Sequence, residues 1–257
     1  MGEMILQARR VTRHFGGLRA VDEVDLSCSM GEVHAVIGPN GAGKTTLINL
    51  LSGDLKASSG HIFYRGREIT HLPAHRISRL GIGRSYQRTN IFPELTCWQN
   101  CWLAGQSQEQ SSLLFFQPAN ASKRTGDRVE MALKTAGLGA RCDEYANSMS
   151  YGEQRQLEIA MLLAMEPDVL LLDEPLAGMG NDEAIKVVEL IGNLAKDHCI
   201  VLIEHDMDAV FAVADILTVM VDGVILESGV PETIRDSSRV REAYLGDDQI
   251  LISRVEL

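Results

Sequence analysis

Over roughly the first 35 positions apolar residues alternate with polar ones or gather in short runs: "MILQARRV", then "VDLSCSM", then "VHAVI" after a turn at Gly31. That pattern predicts strands. A helix is predicted next in "KTTLINLLSG", closed by Gly53, and "SSGHIFYRGREI" reads as a β-hairpin turning at Arg65-Gly66. From about Arg76 the period becomes helical. Between Gln106 and Asp127 the polar, turn-rich "QSQEQSSLLFFQPANASKRTGD" predicts a mobile loop. Its "LLFF" is either a patch docked on the helical part or a partner contact, and docking is favoured because small apolar patches are common on surfaces. Beyond Pro167 strand and helix patterns alternate. "DVLLLDEP" and "CIVLIEHD" are unbroken apolar runs, as in strands buried on both faces. A helix over Asp182 to Lys196 sets Ile185, Val188, Ile191 and Leu194 along one face, and "ILTVMVDGVILESG" closes as a hairpin on Asp222-Gly223. The elements compose an α/β fold with an antiparallel β subdomain and a helical subdomain inserted at about 88–160.

The chain has 257 residues, enough for one large domain or a core with a lobe. Its 45% hydrophobic and 23% charged content is ordinary for a soluble globular protein. No apolar run approaches the roughly 20 residues of a membrane span, and the first residues lack the apolar centre of a secretory signal. Any tie to a membrane is therefore expected to run through a partner. The net charge of −11 argues against a general nucleic-acid binder, while leaving room for a local basic patch. Five cysteines show no zinc-like pairing. Cys97 and Cys101 share a helical face and are expected to be a reduced, semi-buried pair in the cytoplasm rather than a metal site.

Chemistry enters with "GPNGAGKTT", whose Gly38-x4-Gly43-Lys44-Thr45 spacing is that of a phosphate-binding loop between a strand and a helix. Glycines let successive N–H groups turn inward at phosphate oxygens. Lys44 then reaches the β- and γ-phosphates, and the Thr45 hydroxyl can ligate Mg²⁺. "VLLLDEP" puts Asp173 and Glu174 at the end of a buried strand. Asp173 can hold Mg²⁺ through water and Glu174 can act on the attacking water. By itself the pair could equally be an acidic turn before Pro175; beside a phosphate loop the chemical role is favoured. "SYGEQRQLEIA" opens with the capping box Ser150-x-x-Glu153, which a plain helix would also explain. Yet Tyr151-Gly152 lets that helix N-terminus approach something closely, and a helix N-terminus attracts anions. A second phosphate-directed element is unusual in kinases and GTPases.

In the order "GPNGAGKTT", Gln87 in "RSYQRTNIF", "MSYGEQRQ", "LLLDEP" and "IEHD", the chain resembles the ATP-binding subunits of ABC transporters from about residue 4 to 247. The resemblance implies a phosphate-loop ATPase core in one domain over 1–247, with a tail at 248–257 that runs past the usual end and has no assigned role. It implies that Gly38, Pro39, Asn40, Gly41, Ala42, Gly43, Lys44, Thr45 and Thr46 hold ATP, while Phe15 stacks on adenine. The rival for Phe15 is a core aromatic at a strand end. Thr45, Gln87 and Asp173 would serve Mg²⁺, and Glu174, His205 and Gln87 the hydrolysis. For His205 the rival is a buried structural histidine. Ser150, Tyr151, Gly152 and Glu153 would close over ATP bound by a second protomer, like or unlike, in a head-to-tail dimer.

Within the family, "HFGGLRAVDEVDLS", "LDEPLAGMG", "IEHDMDAVF" and "VREAYLG" are most similar to the branched-chain amino acid import ATPases, with amide and urea importers close behind. Permease subunits and, indirectly, a solute-binding protein are then the implied partners, on the cytoplasmic side of the membrane. Gly180 departs from the Asp of many ABC ATPases and the Asn usual in amino acid importers, in a loop that faces the partner. A soluble ABC ATPase acting on nucleic acid, ribosomes or cofactor assembly is the rival from another class. Tandem ATPase halves, long coiled coils or a basic arm would favour it, and none is visible. A kinase or GTPase reading leaves "SYGEQRQ" and His205 without a role.

Overall fold

The computed structural model describes residues 3–87, 89–108 and 123–245. β1 (Met4–Phe15) and β2 (Leu18–Ser29) pair antiparallel, and the chain then crosses Gly31 to β3 (Glu32–Ile37) in another sheet. α1 (Lys44–Leu51) follows the glycine loop. β4 (Ser59–Tyr64) and β5 (Arg67–Glu68) turn on Arg65 and Gly66, both at positive φ, as a tight two-residue hairpin requires. α2 (Ala74–Leu80) leads into β6 (Ile82–Arg84). α3 (Cys97–Gln106), α4 (Lys123–Thr135) and α5 (Tyr151–Leu163) separate β6 from β7 (Val169–Asp173). Then come α6 (Asn181–Leu194), β8 (Cys199–Ile203), α7 (Met207–Val213) and the hairpin of β9 (Ile216–Val221) with β10 (Val224–Gly229), turning on Asp222-Gly223. α8 (Pro231–Asp236) and α9 (Ser238–Leu245) complete the described chain.

One sheet is antiparallel, in the order β2-β1-β4-β5; the other runs β10-β9-β3-β8-β7-β6 and is parallel except for β10. Side chains alternate across a strand, so a sheet covered on both faces needs apolar residues at every position. β7 and β8 show this directly. Leu170, Leu172, Ile200 and Leu202 enter a core shared with α3 to α6. Val169, Leu171, Val201 and Ile203 enter a second core shared with α1 and the antiparallel sheet. The architecture is the expected α/β core with an antiparallel β portion and helices set between two core strands.

Several expectations need correction. Within the stretch expected to be helical from Arg76 the chain also forms β6, whose three residues, Gly83 among them, are too few for a period to show. α4 already begins at Lys123, inside the loop expected through Asp127. The "LLFF" patch and the 248–257 tail lie outside the described residues. Cys97 and Cys101 are both fully buried rather than semi-buried, because α3 packs between α4 and α5; Cys97 Sγ lies 3.2 Å from Met149 Sδ. All five cysteines are free thiols, and no metal-binding cluster of His, Cys, Asp or Glu occurs among the described residues.

The buried face of α6 is Val187, Leu190, Ile191 and Leu194, whereas Ile185 is 57% exposed and Val188 only partly buried. The expected stripe took its spacing from i, i+3 steps alone, which drift around a 3.6-residue helix. Ile191→Ala should therefore cost about 2–5 kcal/mol in denaturant unfolding, while Ile185→Ala should stay within about 0.5 kcal/mol. Equal costs at the two positions would return the face to the first assignment.

Candidate functional site

Four neighbouring parallel strands end at one edge of the sheet, because the register sets Val36 beside Ile203, Ile203 beside Asp173 and Leu171 beside Arg84. From that edge emerge the Gly38–Thr46 loop after β3, His205 after β8, Asp173 and Glu174 at the end of β7, and Gln87 after β6. Ligands of open parallel sheets collect there.

The loop's two framework glycines are demanded by the protein's own backbone. A Cβ on Gly38 (φ 155°) would lie 2.1 Å from the Met220 carbonyl of β9, and one on Gly43 (φ 99°) 2.3 Å from the Ala20 carbonyl of β2. Gly43 caps α1 without a side-chain bond, and no acidic residue sits in the first turn. The amides there are thus left for an anion. Lys44 is 8% exposed and donates to the carbonyls of Gly38 (2.6 Å) and Pro39 (3.0 Å). Burial lowers its pKa, and the nearby Glu174 and Asp173 charges oppose that. Thr45 is exposed and Thr46 half-buried.

Asp173 is buried, with Oδ2 accepting from Arg84 at 3.4 Å and Oδ1 lacking any partner. Burial raises its pKa although Arg84 pulls the other way. A buried carboxylate oxygen left unpaired, at the same sheet edge as Thr45 and Gln87, is a donor suited to a hard cation such as Mg²⁺. Arg84 also holds Asp54 (2.7 Å) and Ser52 Oγ (2.9 Å). Glu174 has φ 49°, a left-handed conformation, and its N–H donates to the Ile203 carbonyl at 2.9 Å. Its Oε2 accepts from Gln87 Nε2 at 3.0 Å. The His205 side chain is 66% exposed, which removes the buried structural reading. Glu204 beside it is buried and accepts from the amides of Leu176 (2.8 Å) and His205 (3.1 Å), and burial raises its pKa. Phe15 is 44% exposed under the Arg13 guanidinium, so it is no core aromatic.

The α5 N-terminus stands apart from these groups. Ser150 and Glu153 form the reciprocal capping box, and Glu153 also pairs with Arg141. Ser150 Oγ donates to Glu183 Oε1 at 2.8 Å, and a Cβ on Gly152 would lie 2.7 Å from that carboxyl carbon. Tyr151 is 40% exposed and packs beside Gly178. None of the hydrogen bonds of Ser150 to Glu153 reaches the Gly38–Thr46 loop among the described residues. Gly180 caps α6 with open space around it.

Comparison with known proteins decides the family. The sequence pattern of ABC transporters matches residues 21–177. The high-affinity branched-chain amino acid transport ATP-binding protein LivG of Salmonella typhimurium is 38% identical over 254 residues, spanning 96% of this chain and 100% of LivG. BraF of Pseudomonas aeruginosa, a protein of the same description, is 37% identical over the same spans. The chain belongs to the ABC transporter family. The ADP conformation of MJ1267, an ATP-binding cassette of an ABC transporter, superposes on this ABC protein with a TM-score of 0.84 at 28% identity, over 95% of this chain and 99% of that one. As a member, the chain is a nucleotide-binding ATPase.

Four buried charges around the site of this ABC protein were not singled out from sequence: Arg84, Arg155, Glu158 and Glu204. A signal existed for two of them, since Arg155 and Glu158 are an i, i+3 pair on a helix otherwise buried by Leu157, Ile159 and Ala160. Gly43→Ala should destabilise the fold by about 1–3 kcal/mol through the clash with Ala20, beyond the left-handed strain of about 1–2 kcal/mol that Gly41→Ala alone incurs in open space. Unfolding of the two variants by denaturant compares them; equal stabilities would refute the packing role of Gly43.

Proposed function

We propose that this chain is the ATP-hydrolysing subunit of an importer for branched-chain amino acids, with amide and urea importers as the nearest alternative substrates. The observation that carries the reading is the 38% identity that extends over the whole of LivG, a branched-chain amino acid transport ATP-binding protein. The chain would sit on the cytoplasmic face of the membrane through permease subunits, with a solute-binding protein acting at one remove and no nucleic-acid partner. No helix among the described residues is long and apolar enough to cross a membrane, and the net charge is −11.

In this reading the Gly38–Thr46 amides and Lys44 hold the ATP phosphates, and Phe15 stacks on adenine. Thr45, Asp173 and Gln87 would hold Mg²⁺, which would supply positive charge against the phosphates. Gln87 orients Glu174, Glu174 takes the proton of the attacking water, and His205 donates to the γ-phosphate. The stretch Ser150 to Glu153 caps the nucleotide of a second protomer through the Ser150 hydroxyl and the Tyr151 and Gly152 amides, which the capping box leaves free. To do so the Ser150 hydroxyl must exchange Glu183 for phosphate. ATP closes the dimer and hydrolysis releases it. Dimeric ABC cassettes are known as a structural type. Gly180, in the loop between Glu174 and α6, favours an unlike ATPase as the second protomer.

The reading is tested by uptake: cells lacking this chain should lose import of leucine, isoleucine and valine and regain it on complementation. Retained import of all three would overturn the substrate assignment. Glu174→Gln should keep ATP affinity, nearly abolish turnover and trap a closed dimer with ATP. Normal hydrolysis by that variant would remove Glu174 from the chemistry. Lys44→Ala should instead weaken nucleotide binding through loss of a charge-assisted contact. Phe15→Tyr should bind ATP normally and Phe15→Ala more weakly by about 1 kcal/mol, read by titration with a fluorescent nucleotide.

A further inference from the structure

Arg155 is 1% exposed, and among the groups assigned to nucleotide it meets only the Tyr151 ring, 5.9 Å from its guanidinium carbon, and the Gln87 backbone. Its guanidinium donates to the carbonyls of Tyr86 (2.6 Å) and Gln87 (2.5 Å) and to Glu158 Oε2 (2.6 Å). Glu158, 4% exposed, accepts from the Tyr86 N–H through its other oxygen at 3.3 Å. Two side chains one turn apart on α5 thus grip the Tyr86–Gln87 backbone by both its N–H and its carbonyls. Gln87 in turn holds Glu174. Ser150 caps the same helix five residues before Arg155, about 7.5 Å along the axis. Gly152, Arg155, Leu157 and Glu158 are buried within the first two turns of the helix, so those turns move as one body.

We propose that Arg155, braced by Glu158, is the positioning residue by which α5 sets Gln87 against Glu174 within its own protomer. Closure of Ser150 on the partner's nucleotide then shifts the same helix whose Arg155 and Glu158 grip the Tyr86–Gln87 backbone, so each site is armed by nucleotide in the other. The inference rests on the two-protomer reading above. Its chemistry is particular to a guanidinium: the planar fork serves two carbonyls and a carboxylate together, which the single ammonium of lysine cannot match.

The test uses the assembled ATPase with its permease subunits. Removing Arg155 alone would strand the Glu158 charge, so the variants are Arg155→Lys and the neutral double variant Arg155→Met/Glu158→Met. Both should lower kcat about tenfold to a hundredfold with KM for ATP changed less than about twofold, the scale of a misplaced catalytic group. In a Glu174→Gln background the isolated chains of both variants should still pair with ATP, seen by light scattering. Hydrogen exchange supplies the readout that separates positioning from general stability. With Arg155 present, ATP-driven closure should increase protection of the peptide carrying Tyr86 and Gln87; in both variants closure should leave that peptide unchanged. Normal kcat, or the same gain in protection without Arg155, would overturn the proposal. Failure of Glu174→Gln itself to close with ATP would overturn the two-protomer reading and this inference with it.

Discussion

Parallel strands have to be covered on both faces, and in this protein that requirement dictates where chemistry can occur. β7 and β8 are buried from end to end between two apolar cores. A polar group can emerge from them only where the sheet stops. The in-register pairing of β3, β8, β7 and β6 therefore delivers a phosphate loop, a histidine, two carboxylates and a glutamine, far apart in sequence, to one edge. The loop's own geometry depends on the same packing, since Gly38 and Gly43 lie against the carbonyls of β9 and β2. Binding capacity and sheet architecture are one structure rather than a site placed on a scaffold.

Around this edge the interior tolerates charges that would ordinarily cost several kcal/mol each, because every one joins two loops. Arg84 joins the end of β6 to the end of β7 and to the turn after α1. Glu204 joins the segment after β7 to the segment after β8. Arg155 and Glu158 join the helical insertion to the segment after β6. Such joints contribute little net stability, but they restrict how the loops can move relative to one another.

Legibility followed physical scale. The hairpins at Arg65-Gly66 and Asp222-Gly223, the double-faced strands and the capping box at Ser150 are local features, and each was readable from a few adjacent residues. The motif order carried the family because its chemistry forces particular residue types. What escaped was relational. β6 is three residues long and acquires its identity by pairing with β7. The α6 face depends on angle around a helix, which Ile185 fitted in spacing but not in direction. Arg84, Arg155, Glu158 and Glu204 act on partners 28 to 89 positions away, and no window along the chain contains both ends of such a bond. The exposure of Phe15 and His205 likewise depends on what does not cover them.

Glu174 sits in the left-handed region at φ 49°, where a side chain with a Cβ is strained by about 1–2 kcal/mol and glycine is not. The backbone at this point would be relaxed by glycine, which could not serve the role in activating water proposed for Glu174. On that proposed role, selection for folding and selection for turnover would pull in opposite directions at one position. A lineage released from the need to hydrolyse ATP would gain stability by exchanging this glutamate for glycine, which alone removes the strained Cβ, while keeping the pocket and the fold. The easiest descendant of this enzyme is a well-folded, nucleotide-binding pseudoenzyme.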